Sequence, residues 1–562
     1  MYQKKPDLYD AIVVGTGISG GWAAKELTEK GLKTLVLERG RMVRHIVDYP
    51  TMNKRPWELP YGNRLTASER EEYPVQLRTG YTVRQDTKHW WLRDADQPYE
   101  EINRFDWIRG YHVGGRSIMW GRHCYRFSDI DFEANARDGI AVDWPIRYRD
   151  IQPWYDYVQE YIGVQGEPLG LPQLPDGPLL PPMGLTCVEQ DLREKLAGKY
   201  PDRILTIGRT ANLSRSHHGR SACAYRNLCS RGCPYTAYFS SNGVTLPAAE
   251  ATGNMTLRPH SIVNQILYDD DTGRATGVEV IDAETQERTE YSAKVIFLCA
   301  STVNSTLIMM NSRSRRFPDG FGNDSGELGR NLMDHHFQVG ANANVDGFED
   351  VYYKGRRPTG FLIPRYRNVG QDRRNYLRGF HYQGGSSRRN WWRGIREMSI
   401  GKELKDLLRN PGNWTIGLTA FGEMLPHPGN KMYLNHDKRD KWGQPAVVFD
   451  CRFRENEWAM RGDMANDAAE MLELAGYKDV RTYDDPGGPG LGIHEMGTAR
   501  MGRDAKTSVL NKWNQVHACK NVFVTDGSCM TSAANQNPSL TYMALTARAV
   551  HYATDQLKKG AL

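Results

Sequence analysis

The chain has 562 residues, 39% apolar and 25% charged, which is room for several domains and a sizeable core and is unlike a disordered chain. Lys and Arg (73) barely exceed Asp and Glu (67), and the +6 excess forms no basic tract, which argues against nucleic acid as a partner. No run approaches the roughly 18 uncharged apolar residues of a transmembrane helix, and most of the nine cysteines are scattered, unlike a disulfide framework.

The opening MYQKKPDLYD has neither an apolar stretch nor twin arginines, so the chain is expected to carry no export signal of its own. Residues 10–14 predict a buried strand, and residues 22–29 a helix closed by Gly31. Residues 34–38 predict a second strand. Between the first two lies Gly15-Thr-Gly17-Ile18-Ser19-Gly20. This is a βαβ unit with a dinucleotide-binding turn. Gly15 makes the turn, Gly17 lets backbone approach a pyrophosphate, and Gly20 lets helix and strand pack closely. The helix N-terminus offers free N–H groups to the phosphates. Glu38, at the end of the second strand, can bind both ribose hydroxyls and repels a 2′-phosphate, which selects FAD or NAD over NADP.

Residues 41–100 are rich in Tyr, Arg, Pro and Trp and predict a long excursion over the core. Residues 110–121 form a second glycine-rich turn, and residues 164–187 a linker. Residues 255–267 and 275–282 alternate as strands around a turn at 269–273, and residues 294–300 predict another buried strand. Residues 430–435 and 446–451 predict antiparallel strands, residues 455–473 a helix, 521–527 a strand and turn, and 539–558 a final helix. Residues 487–492 follow no strand and contain Pro489, so they predict a loop rather than a second nucleotide turn.

Four separated motifs carry a family resemblance. They are the βαβ unit with Glu38, the Val113-Gly-Gly-Arg-Ser-Ile-Met-Trp120 turn, Gly329-Arg-Asn-Leu-Met-Asp-His335, and the run from His494 to Asn537. Together they resemble the glucose–methanol–choline family of FAD-dependent alcohol oxidases and dehydrogenases. The resemblance implies an α/β fold: a Rossmann-like FAD-binding domain on a parallel sheet, with a second α+β substrate domain built on an antiparallel sheet. It divides the chain into FAD-binding parts at 1–48, 101–134, 216–335 and 486–562, a lid at 49–100, and substrate parts at 135–215 and 336–485.

The resemblance also implies roles for residues. His494 is the catalytic base and Asn537 its partner. A histidine suits the first role because its ordinary pKa of about 6.5 leaves a neutral base near pH 7. An amide can hold the same hydroxyl in line while the flavin takes the hydride. FAD is expected to meet Gly15, Gly17, Ile18, Ser19, Gly20, Glu38 and Arg39, then Gly114, Gly115, Ser117, Trp120 and Gly121. Val263, Ala300 and Ser301 lie on the adenine side, and Asp526, Gly527, Asn537, Pro538 and Ser539 nearer the flavin. Met119 stands where some relatives tether the flavin through His, with His112 and His123 displaced to either side, so the FAD is expected to be non-covalent.

Cys223, Cys229 and Cys233, spaced Cys-x5-Cys-x3-Cys before Pro234 in the loop 221–235, resemble the insertion of bacterial sugar dehydrogenases that holds a [3Fe–4S] cluster. A cluster would pass the flavin's two electrons on singly. Zinc held by the three cysteines with His217 or His218, or no metal at all, are the competing readings. Trp90, Trp91, Trp391 and Trp392 offer aromatic faces to a sugar ring, although paired Trp residues also serve as core.

The nearest resemblance is to the glucoside 3-dehydrogenase type, which oxidises the ring C3 hydroxyl of glycosides. Gluconate 2-dehydrogenase and glucose 1-dehydrogenase flavoprotein subunits are alternatives, as are an oxidase and a flavin electron-transfer subunit without alcohol chemistry. Such subunits pair with a small accessory subunit that often carries the export signal. They pass electrons to a c-type cytochrome or quinone. The implied location is periplasmic by co-export, or cytoplasmic by the chain's own signals.

Overall fold

Ile12, Val13 and Val14 are β-branched or apolar on both faces of one strand, the pattern of a strand buried in a parallel sheet. In the computed structural model, which describes residues 8–353, 355, 357–388, 400–409 and 412–562, that strand, Leu8–Val14, lies at the centre of a seven-stranded sheet. It pairs in parallel with Thr34–Leu37 on one side and Arg288–Leu298 on the other. Met255–Arg258 extends the sheet beyond Thr34–Leu37. The strand Arg288–Leu298 forks. Its first half pairs antiparallel with Arg274–Asp282, which pairs in turn with Ser261–Asp269, and its second half takes Val522–Val524 in parallel.

Two local expectations change. The first helix runs Ile18–Glu29 rather than from residue 22, with Gly20 inside its first turn. A Cβ at Gly20 would lie 1.9 Å from the Gly15 carbonyl oxygen, so only glycine lets the helix start there. Residues 255–267 are two strands, broken at Pro259 and His260, because proline has no N–H for the ladder and His260 adopts a φ of +54°.

The second sheet has six strands, all antiparallel to their neighbours, in the order Lys478–Asp484, His335–Val345, Trp414–Glu423, Phe380–Arg388, Phe361–Ile363 and Thr206–Ile207. Period-two alternation splits its residues between two faces, except where a break at Gln338, φ +58°, turns Phe337 and Val339 opposite ways. Val339, Leu418, Phe380 and Tyr382 pack with Met460, Met464 and Met471 of the helix Glu455–Leu474. Phe337, Phe421 and Gln383 point to the cavity described below. Lys431–Arg439, Pro445–Asp450 and the short Glu100–Glu101 form a third sheet. The architecture is thus a Rossmann-like α/β half joined to an α+β half on an antiparallel sheet.

Within residues 135–215 the elements divide. The helix Tyr148–Ile162 packs on the final helix, Ser539–Lys558, and its Tyr157 and Tyr161 meet Trp22 edge-on. The helix Cys187–Lys199 and strand Thr206–Ile207 join the antiparallel sheet instead. Among the described residues, no helix is long and apolar enough to cross a membrane.

Candidate active site

A cavity of about 580 Å³ opens between the parallel sheet and the antiparallel one. Gly15, Gly17, Ile18, Ser19, Glu38, Arg39, Gly115, Ser117, Trp120, Gly121, Val263, Ala300, Ser301, Asp526, Gly527, Pro538 and Ser539 all line it, as do His494 and Asn537. Gly20 and Gly114 stand behind the lining. Gly20 serves the packing described above, and the Gly114 N–H donates to Thr16 Oγ1 at 3.0 Å.

The donors present suit a dinucleotide. No side chain caps the helix Ile18–Glu29, so its first N–H groups are free for phosphate oxygens. A Cβ at Gly115 would lie 3.1 Å from Gly17 Cα, so the two glycine turns close on each other across the cavity wall. The Glu38 carboxylate accepts from the Thr16 hydroxyl and backbone N–H and from the Gly40 N–H at 2.9 Å. Burial pushes its pKa up, against the pull of those hydrogen bonds. Arg39 Nη2 lies 3.0 Å from Asp440 Oδ2, and Nη1 donates to Gln444 Oε1 at 2.9 Å, which ties the cradle to the third sheet. Asp526 Oδ1 accepts from the Ser528 N–H at 3.0 Å.

Two hydrogen-bond chains fix the polarity of the reacting pair. His335 Nε2 lies 2.8 Å from the Ala534 carbonyl oxygen, which can only accept, so His335 carries its proton there. His335 Nδ1, left as an acceptor, lies 2.9 Å from His494 Nδ1. His494 therefore donates from Nδ1 and presents the lone pair of Nε2 to the cavity. From the other side, Gln383 Nε2 donates to Asn537 Oδ1 at 2.6 Å and to His381 Nε2 at 2.9 Å, while His381 Nδ1 donates to Asn535 Oδ1 at 3.0 Å. That occupies the Asn537 oxygen and turns its Nδ2 donor toward His494 Nε2, 3.4 Å away. The pair offers a hydroxyl one acceptor, His494 Nε2, and one donor, Asn537 Nδ2.

Burial, reinforced by the nearby Arg116 guanidinium, holds the His494 pKa well below 6.5, so the ring is neutral. Arg116 is itself paired with Glu495, Nη2 to Oε2 3.2 Å. Below the pair, Asp334 accepts from the N–H groups of Gly490, Gly492 and His494 at 2.7, 2.8 and 3.1 Å and so grips the loop that carries the base. Neither His381 nor Gln383 lies in a sequence motif. His335 falls inside the Gly329–His335 motif, but nothing in that motif says which atom it faces.

The aromatic expectation is corrected in part. Trp90 is 1% exposed, packed with Val43, Tyr49, Met52 and Ile118, so it is core and not a platform for a sugar. Trp91 lines the cavity, and Trp391 and Trp392 lie outside the described residues. The aromatic wall comes instead from Phe337 and Phe421, with His381 stacked on the latter. The Phe337 and Phe421 rings stack at 5.1 Å, and Phe421 and His381 at 5.5 Å. Met119 and His123 line the cavity, whereas His112 is buried against Trp90.

The cysteine loop borders the same cavity through Asn227, Cys229 and Ser230. Burial raises the pKa of Cys223 and Cys233. The Tyr225 N–H donates to Cys223 Sγ at 3.4 Å. Zinc at a bond length of about 2.3 Å needs its sulfurs only about 3.8 Å apart. Among the described residues no cysteine belongs to a set of three or more ligating atoms within 4.8 Å of one another, and His217 and His218 turn to Glu160 instead. The Cys3His zinc set is therefore not assembled.

Comparison with known proteins places most of the chain in one family. Family models described as GMC oxidoreductase match residues 9–337 and 426–546. The chain is 28% identical to 2-methyl-1,2-propanediol dehydrogenase of Mycolicibacterium austroafricanum, over 97% of this chain and 95% of that one. It is 25% identical to the fructose dehydrogenase large subunit of Gluconobacter japonicus, over 98% of each. Among solved structures, pyridoxine 4-oxidase from Mesorbium loti superposes with a TM-score of 0.58 at 17% identity, covering 97% of this chain and 98% of that one, a likeness of fold.

Proposed function

Because the chain belongs to the GMC oxidoreductase family, whose flavoproteins bind FAD, we propose that it is a dehydrogenase converting a secondary hydroxyl of a sugar or glycoside to a ketone. A glucoside oxidised at ring C3 is the leading substrate. The observation that carries the reading is the fixed polarity of His494 Nε2 and Asn537 Nδ2, 3.4 Å apart at the wall of the nucleotide cavity. Loss of the hydroxyl proton to His494 Nε2 leaves charge on oxygen, and the Asn537 N–H group stabilises it there. FAD, held by the two glycine turns, Glu38 and the segment from Asp526 to Ser539, supplies the hydride acceptor when bound. Phe337 and Phe421 present a flat apolar wall suited to the C–H face of a pyranose.

Cys223, Cys229 and Cys233 would hold a [3Fe–4S] cluster, which supplies a one-electron relay. The contact of Cys229 with the cavity supports that route, since it sets a thiol beside the flavin site. In this reading a small accessory subunit and a c-type cytochrome or quinone receive the electrons in the periplasm. The relative named a large subunit supports a multi-subunit assembly. A second reading, oxidation of a small vicinal diol, is favoured by the relative named for 2-methyl-1,2-propanediol.

The test is an anaerobic absorption spectrum before and after adding a glucoside, with the diol in parallel. A flavin band on a broad iron–sulfur background, bleached by the glucoside, supports the whole proposal. Bleaching by the diol alone transfers it to the second reading. A plain flavin spectrum removes the cluster.

A further inference from the structure

The chain makes a tight turn just before the cysteine loop. The His217 N–H donates to the Arg220 carbonyl at 3.1 Å, and the Arg220 N–H donates back to the His217 carbonyl at 3.0 Å. Gly219 takes the left-handed conformation, φ +72°, at no steric cost, but His218 takes it too, at φ +46°. A residue with a Cβ is strained there and held only by what surrounds it. The buried Arg220 fastens the turn to the last turn of the helix Tyr148–Ile162, donating from Nη2 to the Tyr161 and Ile162 carbonyls at 3.2 and 2.7 Å.

This geometry aims both imidazoles at one carboxylate. His218 Nε2 lies 3.1 Å from Glu160 Oε1 and His217 Nε2 3.9 Å from the same oxygen, with the ring centroids 4.1 Å apart. The ligating atoms of Glu160, His217 and His218 all lie within 4.8 Å of one another. His217 Nε2 is also 2.6 Å from the Glu160 backbone carbonyl. The His218 and Glu160 side chains are each about half exposed, so an ion can reach them from solvent.

We propose that Glu160, His217 and His218 form a binding site for a borderline divalent cation of the zinc type, separate from the cysteines and from the catalytic cavity. Two imidazoles and one carboxylate are the three-ligand set that zinc accepts, with the fourth position left to water or the Glu160 carbonyl. The ion replaces the proton that His217 Nε2 holds toward that carbonyl; zinc bonds of about 2.0–2.1 Å put tetrahedral ligand atoms about 3.3 Å apart, which lies between the 3.1 and 3.9 Å at which His218 and His217 now stand from Glu160 Oε1. The convergence of two imidazoles on one half-exposed carboxylate is the reason to expect a ligand. The bound ion pins the turn to the helix. Cys223 follows the turn closely, its N–H held by the Leu213 carbonyl at 2.8 Å, so the entry to the cysteine loop is fixed with it.

The test titrates zinc alone into the intact flavoprotein by calorimetry, and cobalt into the same protein by visible absorption. The informative variants are His218→Asn, which suits a left-handed backbone and removes the imidazole, and Glu160→Gln. The proposal expects one equivalent of zinc and at least tenfold weaker binding in both variants. It also expects a cobalt spectrum of nitrogen and oxygen ligation, without intense thiolate charge transfer. Cys223→Ser should leave the zinc affinity unchanged. No zinc uptake by the parent overturns the proposal, as does uptake that both variants leave unchanged. Thiolate charge transfer that disappears in Cys223→Ser assigns the ion to the cysteines and overturns it equally.

Discussion

Replacing His335 by Phe keeps a planar ring in the same slot while removing both nitrogens. The change has two consequences of separable size. The Ala534 carbonyl loses its 2.8 Å donor inside the core, which costs about 1–3 kcal/mol of stability. His494 Nδ1 loses its 2.9 Å acceptor, so the ring is no longer committed to the tautomer with a free Nε2. The imidazolium formed when His494 takes the proton also loses its partner. A hydrogen bond to a charged group is worth about 1.5–3 kcal/mol, which at about 1.4 kcal/mol per decade is a loss of about 10- to 150-fold in the rate of flavin reduction. KM should stay within about twofold, because His335 does not border the cavity. His335→Gln, whose amide can both donate and accept, should recover part of the rate. Anaerobic rapid mixing with substrate, following flavin bleaching, reads both numbers. A folded, flavin-loaded His335→Phe protein that bleaches within about twofold of the parent refutes the tautomer argument.

His494→Ala should retain FAD and lose at least about a hundredfold in turnover, and a parent-like rate would remove the base assignment. Cys229→Ser should leave reduction of the flavin by substrate intact and abolish transfer to a one-electron acceptor such as a cytochrome; equal loss of both steps would mean the loop is structural. The buried histidines give a pH dependence with a definite sign. Burial pulls His335 to about 4 and His112 and His381 to about 3, against 6.5 for a free ring. Below about pH 6.5 the unfolded chain binds protons that the fold refuses, so stability falls as pH drops from there through about 4, by about 3 kcal/mol for His335 alone. Asp334, raised to about 7 by burial and by Glu495, acts oppositely, favouring the fold at low pH and losing that contribution as pH rises through 7. His45, His89 and His123 are lowered in the same way, against the raised carboxyls Asp334, Glu38, Asp131, Glu423, Glu457 and Asp526; the histidines prevail, so the thermal midpoint should be lower at about pH 5 than at about pH 7, and a higher one at pH 5 would contradict the balance.

What could be read from the residues alone was what local chemistry decides. Gly15, Gly17 and Gly20 are legible because a strand, a turn and a helix N-terminus follow one another within a few residues, and Glu38 because it ends the next strand. His494 and Asn537 are legible from a run of motif 43 residues apart. His335, His381 and Gln383 act only through partners that the antiparallel sheet brings to them, and nothing in their own neighbourhood says which atom they will face. Trp90 illustrates the opposite failure: two adjacent aromatics have no period that tells which one turns inward. The start of the first helix was hidden because glycine, normally a poor helix residue, is there required by the approach to Gly15.

The forked strand Arg288–Leu298 has a bearing on how the protein matures. Its outer half waits for Val522–Val524, and the cavity wall from Asp526 to Ser539 follows directly behind that closing strand. During synthesis the N-terminal βαβ unit can form while these segments are still being made. The nucleotide cradle, however, stays open on one side, and its closure depends on pairings across most of the chain, the kind of contact that forms late. Cofactor capture therefore belongs to the end of biogenesis, and a cell short of flavin would accumulate full-length chains whose cradle is built but empty.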